Sequence, residues 1–301
     1  MQFLQLLMKI RTPVMDYFML GVSWLGTPFF AAGLILWIYL NVSKKTACGI
    51  GISFLLSCMI CQGIKVLVRM PRPWILEPDR TVFSPAEIAL HTATGYSFPS
   101  IHAQTAACIC ESLLHYNKKK AVTVPSVILL FLIPFSRMYL GFHTPVDVIA
   151  GFAAATAVNL LVWHFWPRVS NKTGGDGAIA FFIAGLACVL FFMSLALYRN
   201  GTVELHLIKD AMQTAGIAAG FAAAFYIERR FIRFSTGGTR VQKLLRFAIA
   251  LAGFFIISFL TKIISDTSAV LAVLRYLIGG LWLFGAAPFV FVRTGLMKKE
   301  S

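Results

Sequence analysis

The sequence predicts an all-α, polytopic membrane bundle, and three observations lead to it. Hydrophobic residues fill 58% of the 301 positions and charged residues only 13%, against roughly a quarter charged in soluble domains. The mean hydropathy of +0.77 comes from long uncharged runs of the length that crosses a bilayer. The formal net charge is +15, yet the basic residues fall in short breaks between apolar runs, as cytoplasmic loops of membrane proteins do. No arginine-rich tail or aromatic-basic module accompanies that charge, so no nucleic-acid partner is expected.

Apolar runs and their polar breaks predict about nine spans, near 26–41, 46–67, 98–116, 121–140, 145–165, 178–198, 210–227, 246–264 and 270–292. Each is close to the ~20 residues needed for a hydrocarbon core of ~30 Å. Residues 1–25 read as an interfacial N-terminal segment, with Met1 to Ile10 a short amphipathic helix and Asp16 to Leu25 leading into the first span. Beyond the Gly-rich break Asn171–Gly177 the last four spans are rich in Ala, Gly and Phe. Gly216 and Gly220 there form a GxxxG, which permits close helix packing. The domain division expected is therefore 1–167 and 168–301, the second part without an assigned role. The six cysteines fall within spans, and the Cys58-x-x-Cys61 pair reads as buried small residues rather than a metal site.

One alternating set of loops holds Lys44, Lys45, Lys118 to Lys120, Arg168, Lys172, the 228–246 stretch and the tail with Lys298 and Lys299. The positive-inside rule places this set, and with it the C-terminus, in the cytoplasm. The stretch 65–80 breaks the rule, because it faces outward yet holds Lys65, Arg69, Arg72 and Arg80. Cations on the wrong side need another reason to be there.

Three segments meet on that outer side: Lys65 to Pro73 (KVLVRMPRP), Phe98 to His102 (FPSIH) and Ser136 to Asp147 (SRMYLGFHTPVD). Singly, each has an ordinary reading. Lys65 or Arg72 can snorkel to head groups, Ser100 can cap the helix that follows, and Thr144-Pro145-Val146-Asp147 is a helix start. Together they have a chemical logic. Lys65, Arg72 and Arg137 would neutralise a phosphoryl dianion, and the helix starting near Ser100 adds backbone N–H donors. Asp147 can fix one nitrogen of His143 and leave the other free to attack phosphorus. His102, on a separate helix, can protonate the departing oxygen and later activate water.

Lys65 with Arg72-Pro73, Pro99-Ser100-Ile101-His102, and Ser136-Arg137 with His143 and Asp147 resemble the three motifs of the type 2 phosphatidic acid phosphatase (PAP2) superfamily: K-x6-RP, PSGH and SR-x5-H-x3-D. The resemblance covers roughly residues 26–165. It implies a PAP2-like helical core, with about four additional C-terminal transmembrane helices outside it. It further implies hydrolysis without metal or cofactor through a phosphohistidine, with His143 as nucleophile, Asp147 its partner and His102 the general acid. Lys65, Arg72, Ser100, Ile101 and Arg137 would line the phosphate. The site would face outward, here from a bacterial cytoplasmic membrane. The substrate expected is a lipid phosphate or polyprenyl diphosphate arriving from the bilayer.

Ile101 departs from the motif, where the family has glycine. If the backbone there has φ > 0, isoleucine is strained; if residue 101 already belongs to the helix, it fits and only crowds the anion. Phosphotransfer to a lipid acceptor, and a weakened protein that binds or transports lipid phosphates, are the alternative readings.

Overall fold

Prolines and caps decide where the helices begin. The computed structural model describes residues 1–76, 86–93, 95–170, 175–265 and 268–300. Arg80, Lys172, and parts of the predicted outer loop and of the Gly-rich break lie outside the described residues. Helix α1 (Gln2–Lys9) buries Leu4 and Leu7. Helix α2 (Pro13–Leu25) starts with proline at its first position, where no intrahelical donor is lost. The Thr12 hydroxyl accepts from Met15 N, and Arg11 pairs with Asp16 at 3.0 Å. The helix breaks at Gly26-Thr27, and α3 (Pro28–Asn41) continues at an angle of 46°.

Then follow α4 (Lys44–Val68), the single turn α5 (Pro73–Leu76), a 3₁₀ turn (Glu87–Thr92), α6 (Ile101–Tyr116), α7 (Lys120–Tyr139) and α8 (Pro145–Val169). The remaining helices are α9 (Gly175–Arg199), α10 (Leu205–Ile227), α11 (Arg240–Ser265), α12 (Ala269–Leu281) and α13 (Ala287–Arg293), with π-helical turns at Glu228–Ile232 and Trp282–Ala286. Among the described residues there is no strand, only the isolated bridge between Phe234 and Lys299. The chain is an all-α, multi-pass membrane protein.

Every predicted span coincides with a helix, but not every helix is a span by length and composition. Among the described residues, six helices are long and apolar enough to cross a membrane, or seven if the bent α2–α3 pair is one span. Helix α6 has only 16 residues, because the chain before Ile101 is extended, and α10 carries Lys209, Asp210, Gln213 and Thr214. The apolar runs 98–116 and 210–227 predict spans at both places.

Two compact units account for the chain: Met1–Ala32 with Leu56–Leu161, and Gly33–Leu55 with Val162–Ser301. In the first, one face of α2 packs Met19 with Tyr139, Leu140 and Phe142, and Val22 with Ala106 and Ile133. In the second, α10 and α12 approach at backbone contact. A Cβ on Gly216 would stand 2.4 Å from Val273 O, and one on Gly220 2.3 Å from Leu277 O. The GxxxG spacing serves the close packing that its sequence suggests.

Candidate active site

The site lies within the first compact unit and is assembled from the ends of α4, α6, α7 and α8. Helix α7 ends at Tyr139, and Gly141 reverses the chain at φ +81°, a conformation that glycine adopts without Cβ strain. That turn delivers His143 to the start of α8. Thr144 and Asp147 close a reciprocal cap. Thr144 N donates to Asp147 Oδ2 at 2.7 Å, and Asp147 N donates to Thr144 Oγ1 at 3.3 Å. The cap that starts the helix thereby also aims the carboxylate.

Asp147 Oδ2 accepts a second hydrogen bond from Ser97 Oγ at 2.6 Å and lies 3.6 Å from His143 Nδ1. On the other side of the ring, Arg72 Nη1 is 3.0 Å from His143 Nε2. A guanidinium can only donate, so Nε2 carries the lone pair and the ring proton sits on Nδ1, toward Asp147. Burial first, then the charges of Arg72, Lys65 and Arg137, hold the imidazole well below its ordinary range and keep it neutral. A neutral ring with a free Nε2 lone pair is the form that can act as a nucleophile.

The cations are fixed by main-chain carbonyls. Lys65 Nζ donates to Tyr96 O and, at 3.3 Å, to Ser97 O. Arg72 donates through Nε to Gly95 O at 3.0 Å and through Nη1 to Phe142 O at 3.1 Å. Arg137 is fully buried, with its guanidinium carbon 4.7 Å from the centre of the Phe142 ring. Nη1 of Arg137 donates to Ser23 Oγ at 2.8 Å. Lys65, Arg72 and Arg137 bring three buried positive charges to the site, and planar guanidinium forks suit phosphate oxygens.

The FPSIH segment forms another wall. Ser100 caps α6, its hydroxyl accepting from Ala103 N at 3.4 Å, and its own N–H donates to Asp147 O at 2.9 Å. His102, one residue into the helix, is half-buried. Its Nε2 has no hydrogen-bond partner among the described residues, and the charges of Arg137, Arg72 and Lys65 lie within electrostatic reach of it. Ile101 is the first residue of α6 and does not have positive φ; among the described residues the non-glycine ones that do are Arg69 and Arg233. Isoleucine therefore fits this backbone, which does not itself demand the family's glycine.

Residues 46–171 match the PAP2 superfamily, and residues 212–299 match the PAP2 superfamily phosphatase, transmembrane extension. The chain belongs to the PAP2 superfamily. Its motif residues all fall inside the first match, and the second accounts for most of α10 to α13. Among curated relatives, phosphatidylglycerophosphatase B of Bacillus subtilis is 29% identical over 173 residues, 54% of this chain and 80% of that protein. Undecaprenyl-diphosphatase BcrC of the same species is 31% identical over 133 residues, 44% of this chain and 64% of that one. Sphingosine-1-phosphate phosphatase 1 of Mus musculus is 28% identical over 221 residues, 71% of this chain but 49% of that one. The chain thus spans most of the first relative's length and about half of the third's. No solved structure matches. Membership in this superfamily, with a phosphatase extension and phosphatases as relatives, puts the chain among PAP2-type membrane phosphatases.

All the residues singled out in the three PAP2 motifs lie in this one unit. Two others were not foreseen. Ser97 donates the shortest hydrogen bond to Asp147, but as a loop serine three residues before Ser100 it had no mark of its own. Gly151 lies one turn after Asp147 and lets α8 touch the FPSIH backbone; a Cβ there would stand 2.3 Å from Ser100 O. Its spacing of four from Asp147 was the available signal.

Proposed function

We propose that this protein is a membrane-embedded lipid phosphatase that removes the terminal phosphate of a lipid phosphate monoester or polyprenyl diphosphate through a phosphohistidine on His143. The observation that carries the reading is the ring of His143 held between Asp147 at Nδ1 and Arg72 at Nε2. The incoming phosphate displaces the Arg72 hydrogen bond and takes that guanidinium as its own ligand, with Lys65, Arg137 and the N–H groups at the start of α6. Nε2 attacks phosphorus, the N–P bond forms as the P–O bond to the lipid breaks, and His102 gives its proton to the departing oxygen. Water, deprotonated by His102, then breaks the N–P bond and releases inorganic phosphate.

A lipid substrate is favoured by the apolar setting and by relatives named for phosphatidylglycerophosphate, undecaprenyl diphosphate and sphingosine 1-phosphate. The distribution of basic loops favours a site on the outer face of a bacterial cytoplasmic membrane, with the C-terminus inside. Residues 1–167 would carry the chemistry and 168–301 the extension. The helical backbone at Ile101 favours turnover over a merely binding role. The test is phosphate release from phosphatidic, phosphatidylglycerophosphate and polyprenyl diphosphate lipids by purified protein in detergent with EDTA present. Release by wild type and none by His143→Ala is expected; equal release by both, or a requirement for added Mg²⁺, would overturn the mechanism.

A further inference from the structure

We infer that Ser23, on the N-terminal helix α2, is a positioning residue that sets the Arg137 guanidinium for phosphate, so that α2 completes the PAP2 site. This rests on the phosphatase reading above. Helix α2 lies outside the residues matched to the family domain, which begin at 46, and no motif residue comes from it. Yet its last turn reaches two of the groups in the site. Ser23 Oγ accepts from Arg137 Nη1 at 2.8 Å, and both side chains are buried. Three residues on, Gly26 faces the His102 ring. A Cβ built there would stand 3.5 Å from His102 Cδ2 and 2.3 Å from Ile133 Cγ2. Positions 23 and 26 share one face of the helix end, so the same face meets α7 at Arg137 and α6 at His102.

Helix α2 is tied down independently of these contacts. Thr12 N donates to the Tyr139 hydroxyl at 3.3 Å, Met19 packs on Tyr139, Leu140 and Phe142, and Val22 packs on Ala106 and Ile133. Ser23 is therefore a fixed acceptor. A hydroxyl 2.8 Å from one guanidinium nitrogen restrains the plane of the fork, and the Phe142 ring at 4.7 Å supports its face. An arginine without that restraint still carries its charge but no longer presents both donors in one orientation, which weakens a bidentate contact more than it weakens the fold. Ser23 itself need not touch the substrate.

The experiment is a double-mutant cycle of Ser23→Ala and Arg137→Ala in the full chain, with Val22→Ala as a packing control on the same helix. It is read by steady-state phosphate release and by the rise in melting temperature that orthovanadate, a phosphate-shaped anion, produces. Ser23→Ala should raise KM about tenfold, as loss of a charge-assisted hydrogen bond does, with little change in kcat, and should shrink the vanadate shift. Ser23→Thr should recover part of both, and Ser23→Ala should add nothing once Arg137 is alanine. Equal effects of Ser23→Ala in both backgrounds, or the same KM rise from Val22→Ala, would reduce Ser23 to packing and overturn the inference. Wild type that binds vanadate without turnover would instead overturn the phosphatase reading alone, the vanadate shifts still deciding Ser23. Wild type that does neither would overturn both.

Discussion

Replacing Gly151 by alanine adds one methyl group at the closest approach between α8 and the FPSIH segment. The new Cβ would lie 2.3 Å from Ser100 O, 3.1 Å from Ser100 C and 3.3 Å from Ser100 N. Carbon and carbonyl oxygen settle at roughly 3.3 Å or more, so α8 and the loop must separate by about 1 Å. The obstacle is backbone on both sides, and no rotamer change can relieve it. The Ser100 N to Asp147 O hydrogen bond, now 2.9 Å, would stretch beyond bonding range. The same movement carries the Ser100 cap and His102 away from His143 and Asp147. A displacement of about 1 Å in a catalytic constellation costs on the order of a hundredfold in rate, and overpacking of this kind costs about 1–3 kcal/mol in stability. The assay is phosphate release in detergent beside a thermal melt, with Gly185→Ala as control. A Cβ at Gly185 would meet nothing within 4 Å, so this change should be neutral or slightly stabilising. Gly151→Ala protein that keeps activity within about threefold of wild type would refute the close docking of α8 on the FPSIH backbone.

Further expectations concern single residues of the site. Asp147→Asn keeps the shape but loses the charge, and leaves one oxygen where the carboxylate offered two, so kcat should fall by two or more orders of magnitude; activity within tenfold of wild type would show that His143 needs no carboxylate. Ser97→Ala removes one donor to Asp147 Oδ2 and leaves Thr144 N in place, so a loss of about tenfold is expected, against no loss if Ser97 is an ordinary loop serine. Since burial and then Arg72, Lys65 and Arg137 lower the pKa of His143, its reactive neutral form should persist on acidification. The acid limb of kcat/KM, corrected for ionisation of the substrate, should then fall below the ordinary imidazole value of about 6.5; a limb at or above it would contradict the buried, cation-flanked ring. Ile101→Gly should not raise turnover by more than about threefold and should lower thermal stability, since residue 101 is helical and glycine costs about 1 kcal/mol there. A tenfold gain in activity would mean that the side chain obstructs the anion.

The sequence was most legible where chemistry imposes fixed spacing or where the bilayer imposes length. Lys65, Arg72, Ser100, His102, Arg137, His143 and Asp147 could be picked out because each sits in a short motif whose residue types have few common uses at a span end. The helices could be picked out because charge is excluded from their apolar runs. Contacts between segments distant in sequence left no such mark. Ser23 looks like any small residue in an apolar helix, and Gly151 like one of many helix glycines. Both act through one atom's distance to a residue on another helix. Ser97 gains its role only because Ser100 N bonds to Asp147 O, which brings the whole loop onto α8. The backbone of Ile101 was open to two readings until the cap at Ser100 placed it in the first helical turn. Gly26 reads in the sequence as the start of the first span, not as a glycine seated beside His102.

The most direct test of the central claim is to trap the covalent intermediate. Wild-type protein mixed with a lipid carrying a ³²P-labelled terminal phosphate, quenched within the first turnover in denaturant with EDTA present, should carry label that is stable in base, labile in acid and confined to the peptide containing His143. That label should be absent from His143→Ala. Turnover with no labelled protein at any quench time, or label that survives the His143→Ala change, would contradict a phosphohistidine at this position.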